Sequence, residues 1–181
     1  MNEMFITFLD VVEALIFIFP AYWANGMPVI FGGGRPIDGN RRFWDGRPVF
    51  GSHKTLRGFF AGIAIGTLVG AIECILFRTY SSALSRITFS PGLMLGFVLS
   101  CGALMGDLTD SFIKRRLDIS PGSPLPVIDQ LDFVIGALLL GFIVDELPRL
   151  PVILIIFAIT PPIHLLTNLS AYLLDVKKEW W

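Results

Sequence analysis

Between Gly106 and Asp132 the chain reads GDLTDSFIKRRLDISPGSPLPVIDQLD, a mixed acidic and basic segment that follows directly on a run of residues suited only to lipid. If Leu93 to Arg116 is one helix, Asp107, Asp110, Ser111, Lys114 and Asp118 are spaced i, i+3, i+4, i+7 and i+11, which is a single face. Arg115 sits at the edge of that face, and Thr109, Phe112 and Ile113 point away. Two further carboxylates, Asp129 and Asp132, stand i, i+3 apart just past a proline-rich turn, at the start of the next apolar segment. Acids and bases thus converge on one membrane surface. The mixture suits a divalent cation bridging to polyphosphate, with carboxylate oxygens holding Mg²⁺ while lysine and arginine neutralise phosphate oxygens. A solvated juxtamembrane helix carrying i, i+4 ion pairs accounts for the same spacing.

The elements that must position these residues are apolar. Of the 181 residues 54% are hydrophobic, too many for a soluble domain of this size, so the chain reads as a single integral membrane domain over 1–181. A span needs about 20 apolar residues to cross about 30 Å of hydrocarbon. Five stretches qualify, at about 4–24, 56–78, 91–108, 127–145 and 150–174, giving an all-α protein of five transmembrane helices with charged loops at 25–55 and 109–126. Arg35, Arg41, Arg42, Arg47, Lys54 and Arg57 fall in one loop, Lys114, Arg115 and Arg116 in another, and Lys177 and Lys178 in the tail. The opposite side carries only Arg78, Arg86 and Arg149. The positive-inside rule then places both charged loops and the C-terminus in the cytoplasm and the N-terminus outside. The chain begins MNEM, without the basic region of a cleavable signal, so the first span is expected to remain.

Residues outside the polar stripe sort by position. Asp10 and Glu13 lie in the outer half of the first span, where interhelical hydrogen bonding or water access explains them without chemistry. Pro20 is expected to bend that span, and Asn25 stands at its cytoplasmic end, where a helix cap is the plain reading. Gly32, Gly33 and Gly34 lack the spacing of a nucleotide-binding fingerprint and read as a flexible connection able to approach a phosphate. Gly58, Gly62, Gly66 and Gly70 recur at every fourth position and make a smooth groove, which Gly92, Gly96 and Ser100 of the third span fit. Ser52 or Thr55 is the expected N-cap of the second span, and its free N–H groups, with Lys54 beside them, favour an anion. Pro161 and Pro162 are expected to kink the fifth span, and His164 reads as hydrogen-bonded structure. Cys74 and Cys101 lie inside spans as small hydrophobes, so no disulfide framework follows. There is no Walker loop, zinc-ligand spacing, serine elbow or internal repeat.

Taken together, AYWANGMPVIFGGGRPID, FGSHKTLRG, GDLTDSFIKRR and DQLD resemble the membrane cytidylyltransferases that make CDP-activated lipids, specifically their short archaeal branch, the CDP-archaeol synthases. The most specific pieces are GDLxxSxxKR followed by D-x-x-D, and the earlier KTxxG. The bacterial relatives carry a Gly- and His-rich piece before LDRxD. Here the segment is SPGSPLPVIDQLD, with Gln130 in place of the arginine, which favours an isoprenoid ether lipid as acceptor. The resemblance implies transfer of CMP from CTP to a lipid phosphate in the cell membrane, with Mg²⁺ as cofactor and no nucleic-acid partner, in a monomer or homodimer. It further implies Asp107 and Asp129 as first metal ligands and Asp110 and Asp132 as the next. Lys54, Lys114, Arg115 and Asp107 would be catalytic, and Asn25, Thr55, Arg57, Ser111 and Arg116 would contact CTP.

Two other classes compete. A small cation- or proton-coupled transporter would use Asp10, Glu13, Glu73 and Asp132 as a relay, but it leaves the charged stripe unexplained. A CDP-alcohol phosphotransferase would need a closely spaced Asp-Gly, Ala-Arg, Gly, Asp run, which is absent.

Overall fold

The computed structural model describes residues 7–79, 89–120, 123–177 and 179. They form five helices: α1 (Phe8–Phe31), α2 (Leu56–Thr79), α3 (Leu93–Arg116), α4 (Ile128–Ile143) and α5 (Leu150–Leu173). Among the described residues there is no strand, only isolated bridges pairing Pro36 with Thr55 and Arg42 with Pro48. By length and composition α1, α2, α3 and α5 can each cross a membrane. The 16 residues of α4 are fewer than the expected 127–145 and reach about 24 Å. It stops at Val144 because Asp145 turns left-handed, with φ 57°.

The bundle is held by close backbone approach, as expected where lipid tails are as apolar as leucine and cannot drive helices together. All four glycines of α2 are buried. Along one side they receive α1, with Gly58 under Pro28, Gly62 under Ala24 and Gly66 under Pro20. Along the other they receive α3, with Gly70 against Gly96 and Gly66 against Ser100, the pairing that the small-residue spacing anticipates. A second seam, Gly102 and Gly106 of α3 against Gly136 of α4, was not expected.

Two boundaries differ from the sequence reading. The first span, expected over 4–24, runs on to Phe31 through both Pro20 and Pro28. In a membrane helix the groups that proline frees can be satisfied by neighbours, and here both prolines are packed against α2. Asn25 is therefore inside α1, not its cap, and the connecting loop begins at Gly32. α5 is helical from Leu150 to Leu173, so Pro161 and Pro162 lend it no irregular middle.

Phe17, Ile18, Leu99, Phe133, Val152 and Ile156 make the centre of the apolar core, joining α1, α3, α4 and α5. At the end of the bundle where α1 and α5 begin, Arg149 donates to Asp10 at 2.8 Å and Glu13 at 2.5 Å. The two acids of the first span are thus interhelical ion-pair partners.

Candidate active site

The C-terminal ends of α1, α3 and α5 and the N-terminal ends of α2 and α4 surround a cavity of about 1090 Å³. α3 projects its last turns here as one uninterrupted helix of 24 residues, roughly 36 Å long. The loop from Arg35 to Thr55 folds over one side. Its two ends are paired, Ile37 N–H to Lys54 C=O at 2.8 Å and Leu56 N–H to Arg35 C=O at 3.0 Å. Its middle is organised by the Asp38 carboxylate, which accepts the amides of Asn40, Phe50 and Gly51 at 2.9, 3.0 and 3.1 Å. Burial pushes the Asp38 carboxyl up, but these amides outweigh it and hold it below the ordinary carboxylate range.

This scaffold delivers Lys54, whose Nζ lies 2.6 and 2.7 Å from the two Asp107 oxygens. Beside it Thr55 Oγ1 accepts the Gly58 amide at 3.2 Å, so Thr55 rather than Ser52 caps α2. Lys114 is buried one turn beyond Asp110, 3.0 Å from its carboxylate, and also pairs with Asp129 from α4. Asp129 in turn accepts the Leu125 amide at 2.9 Å, which fixes the turn entering α4. Asp132 lines the same cavity one helical turn further on. The four carboxylates singled out from the sequence therefore share one cavity with Lys54, Lys114 and Arg115.

Arg115 is the unusual member. It is 6% exposed, and its Nε and Nη1 have no hydrogen-bond partner among the described residues. A buried guanidinium with unmet donors is prepared for an anion with several acceptor oxygens. Sequence spacing puts it at the edge of the polar face; packing of α3 turns it into the cavity.

Asn25, Thr55 and Ser111 line the cavity, whereas Arg57 and Arg116, also singled out for CTP, do not. Arg116 holds the loop instead: its Nε is 3.0 Å from Asp45, it donates to the Pro48 carbonyl, and its guanidinium lies over Phe112 and Phe43 at 4.6 and 5.0 Å. Asp118 also leaves the face expected for it. α3 ends at Arg116, Asp118 takes φ 60°, and its carboxylate pairs with Arg47 at 2.5 Å. α5 and the tail add further polar lining residues, His164, Thr167, Asn168, Ser170 and Lys177. No spacing in the sequence marks them.

Among the described residues no three His, Cys, Asp or Glu side chains form a ready-made metal group. Asp107, Asp110 and Asp129 are instead paired with lysines. Mg²⁺ commonly takes only one or two carboxylates and completes its shell with water and substrate phosphates, so Asp107 and Asp129 fit such a shared site and not an all-protein cage.

Residues 5–181 match the family model of CarS-like CDP-archaeol synthases. The chain belongs to the CDP-archaeol synthase family. A CDP-archaeol synthase of Methanocaldococcus jannaschii is 48% identical over 93% of this chain and 96% of its own length. Another, of Pyrococcus furiosus, is 44% identical over 94% and 98%. A solved structure described as an intramembrane enzyme for archaeal membrane lipid biosynthesis is 35% identical, with a TM-score of 0.75 over 87% of this chain and 94% of that one. With its apolar helices, this member of the CDP-archaeol synthase family is a multi-pass membrane protein. The relay imagined for a transporter finds no continuity, since Asp10 and Glu13 are bound by Arg149 and are not among the residues lining the cavity that holds Asp132.

Proposed function

We propose that the chain transfers the CMP moiety of CTP to a lipid phosphate, unsaturated archaetidic acid (2,3-di-O-geranylgeranylglyceryl phosphate), giving a CDP-archaeol lipid and pyrophosphate. An oxygen of the lipid phosphate attacks the α-phosphorus of CTP. The bond from that phosphorus to the α,β-bridging oxygen breaks, and pyrophosphate leaves with the electron pair. With a second pKa near 6 the phosphomonoester is already largely dianionic at neutral pH, so no strong general base is needed. The obstacle is bringing two anions together, which makes the work positioning and charge neutralisation.

Arg115 carries this reading, because a buried guanidinium with unmet donors demands a multiply charged anion. Lys54 and Lys114 exchange their present carboxylate partners for phosphate oxygens when the nucleotide enters, and Asn25, Thr55 and Ser111 offer it polar groups from the same walls. The carboxylates released, Asp107 and Asp129 first and Asp110 and Asp132 behind them, would hold Mg²⁺. Bound there, the ion supplies charge neutralisation across the phosphates. The cavity faces the cytoplasm on this reading, since Arg35, Arg41, Arg42, Arg47 and Lys54 gather on its loop.

Purified protein incubated with labelled CTP and a panel of ester and ether lipid phosphates tests the proposal. Label should pass into the lipid fraction with the geranylgeranyl ether acceptor, with equimolar pyrophosphate released. Asp107→Asn should retain the wild-type melting temperature within a few degrees and lose at least 100-fold in turnover, as roughly expected when a group acting on the reacting phosphates is removed. Wild-type turnover by that variant removes Asp107 from the mechanism.

A further inference from the structure

The wall of the cavity opposite Lys54 and Arg115 is built by α5 and the residues just after it. α5 packs only against α1 and α4 among the described helices, so the cavity separates its last turns from α2 and α3. The end of α5 is a tight backward turn. Asp175 takes φ 58°, its amide reaches Tyr172 C=O at 3.1 Å, and the next amide, Val176, reaches Ala171 C=O at 2.9 Å. This is the six-residue C-terminal closure in which a left-handed residue satisfies the last carbonyls and reverses the chain. Lys177 N–H also bonds Ala171 C=O, at 3.1 Å. The reversal carries Lys177 back over the last helical turn, and the lysine lines the cavity instead of trailing into solvent.

What surrounds this position differs from what surrounds Lys54. Towards the bundle interior, the α1 and α5 sides present Phe19, Tyr22, Trp23 and Ile163, with Tyr22 hydrogen-bonded to Thr160 at 2.8 Å. Phe19 and Trp23 are 43% and 41% exposed, so the aromatic side of the cavity is open rather than sealed by packing. Such a wall suits a lipid, whose chains can lie along the aromatic side while its headgroup reaches the polar end, where His164, Asn168 and Lys177 stand. The Asn168 Nδ2 to His164 Nδ1 distance is 3.4 Å, and His164 stacks on Phe133, which holds this polar side in place.

We infer that Lys177, carried back into the cavity by the turn that ends α5, binds the phosphomonoester of the lipid acceptor, while Lys54 and Arg115 serve the nucleotide on the facing wall. The inference rests on the cytidylyltransferase reading above and adds the division of the cavity into two anion sites. Lys177 acts by binding and orienting the nucleophilic phosphate, and it takes no proton from it.

The same chemistry could serve the terminal phosphate of CTP, so the test measures both substrates. Initial rates of the full-length wild-type, Lys177→Gln and Lys177→Arg proteins are taken in mixed micelles, with labelled CTP and 2,3-di-O-geranylgeranylglyceryl phosphate varied separately. Loss of one charge-assisted contact to phosphate should raise the lipid KM of Lys177→Gln by about tenfold to a hundredfold. The CTP KM stays at the wild-type value, and Lys177→Arg recovers most of the lipid affinity. A rise in CTP KM with unchanged lipid KM, or no shift in either, overturns the assignment. So does a Lys177→Gln protein whose melting temperature falls together with both affinities, since the lysine would then only pack the tail. Wild-type protein that makes no CDP-lipid defeats the underlying reading instead, which keeps the two failures apart.

Discussion

Arg115 and Arg116 are neighbours of one residue type with opposite positions in the energy balance. Arg116 is ion-paired with Asp45, donates to the Pro48 carbonyl and lies over two aromatic faces, although its Nε and Nη1 make no hydrogen bond among the described residues. Arg115 is more deeply buried and has no ion pair among the described residues, and its two unpartnered nitrogens cost about 1–3 kcal/mol for an unmet buried polar group and more when it is charged. Substitution by methionine keeps the stem and removes the charge, so the two variants should move in opposite directions. Arg115→Met is expected to raise the melting temperature of the ligand-free protein while CTP affinity falls at least tenfold. Arg116→Met lowers the melting temperature, because the loop loses its hold on α3. Thermal denaturation in detergent with and without CTP measures both, and a lowered melting temperature for ligand-free Arg115→Met would show that the guanidinium is structural. Nothing in the run Lys114-Arg115-Arg116 distinguishes them by type. Successive helical residues are rotated by about 100°, and only the packing of α3 decides which one meets the cavity and which meets Phe43 and Phe112.

The glycine seams and the Arg35–Thr55 loop do the positioning at the level of elements. A methyl on Gly70 would stand 2.6 Å from the Gly96 Cα and 2.8 Å from the Gly92 carbonyl oxygen, both backbone atoms that cannot rotate away. Gly70→Ala should therefore separate α2 from α3 and destabilise by about 1–3 kcal/mol. Gly26→Ala, in a helix interior where a methyl meets nothing within 4 Å, should stabilise by about 1 kcal/mol, and paired thermal melts compare the two. The α2 seam was legible because four glycines share a period. The α3–α4 seam was not, because the two glycines of α4, Gly136 and Gly141, are five residues apart, off the four-residue period, and only Gly136 meets Gly102 and Gly106. The loop brings a pH dependence of definite sign. Asp38 has a folded-state pKa below its unfolded value, so its stabilisation is complete above the ordinary carboxylate range and is lost as pH falls through the depressed value. Wild-type protein should become more susceptible to protease within 35–55 as pH falls through that window, and Asp38→Asn should be susceptible already at neutral pH. Equal protection of the two proteins at neutral pH would show that the carboxylate does not hold the loop.

Across the whole molecule, apolar length made the five-helix plan readable, since it rests on a physical requirement of the bilayer that acts locally along the chain. The extent of α1 was harder, because whether proline ends a helix depends on the partner packed against it, here the glycines of α2. Lys177 was beyond reach for a similar reason: its place depends on a turn that sends the tail back over α5. The assembled site has a property that no single helix shows. Asp107 is matched by Lys54, and Asp110 and Asp129 share Lys114, so each of these three carboxylates has a lysine partner in the same site before any ligand arrives. A protein that relied on resident Mg²⁺ to offset this acidic group would loosen when the ion was withdrawn. Pairing with lysines predicts the reverse, that the metal matters only together with nucleotide. Excess EDTA should abolish CDP-lipid formation and remove the rise in melting temperature produced by Mg·CTP, while leaving the melting temperature of nucleotide-free protein unchanged. A fall in that last value on chelation would mean that the lysines do not suffice to hold the carboxylates together and that an ion is part of the resting fold.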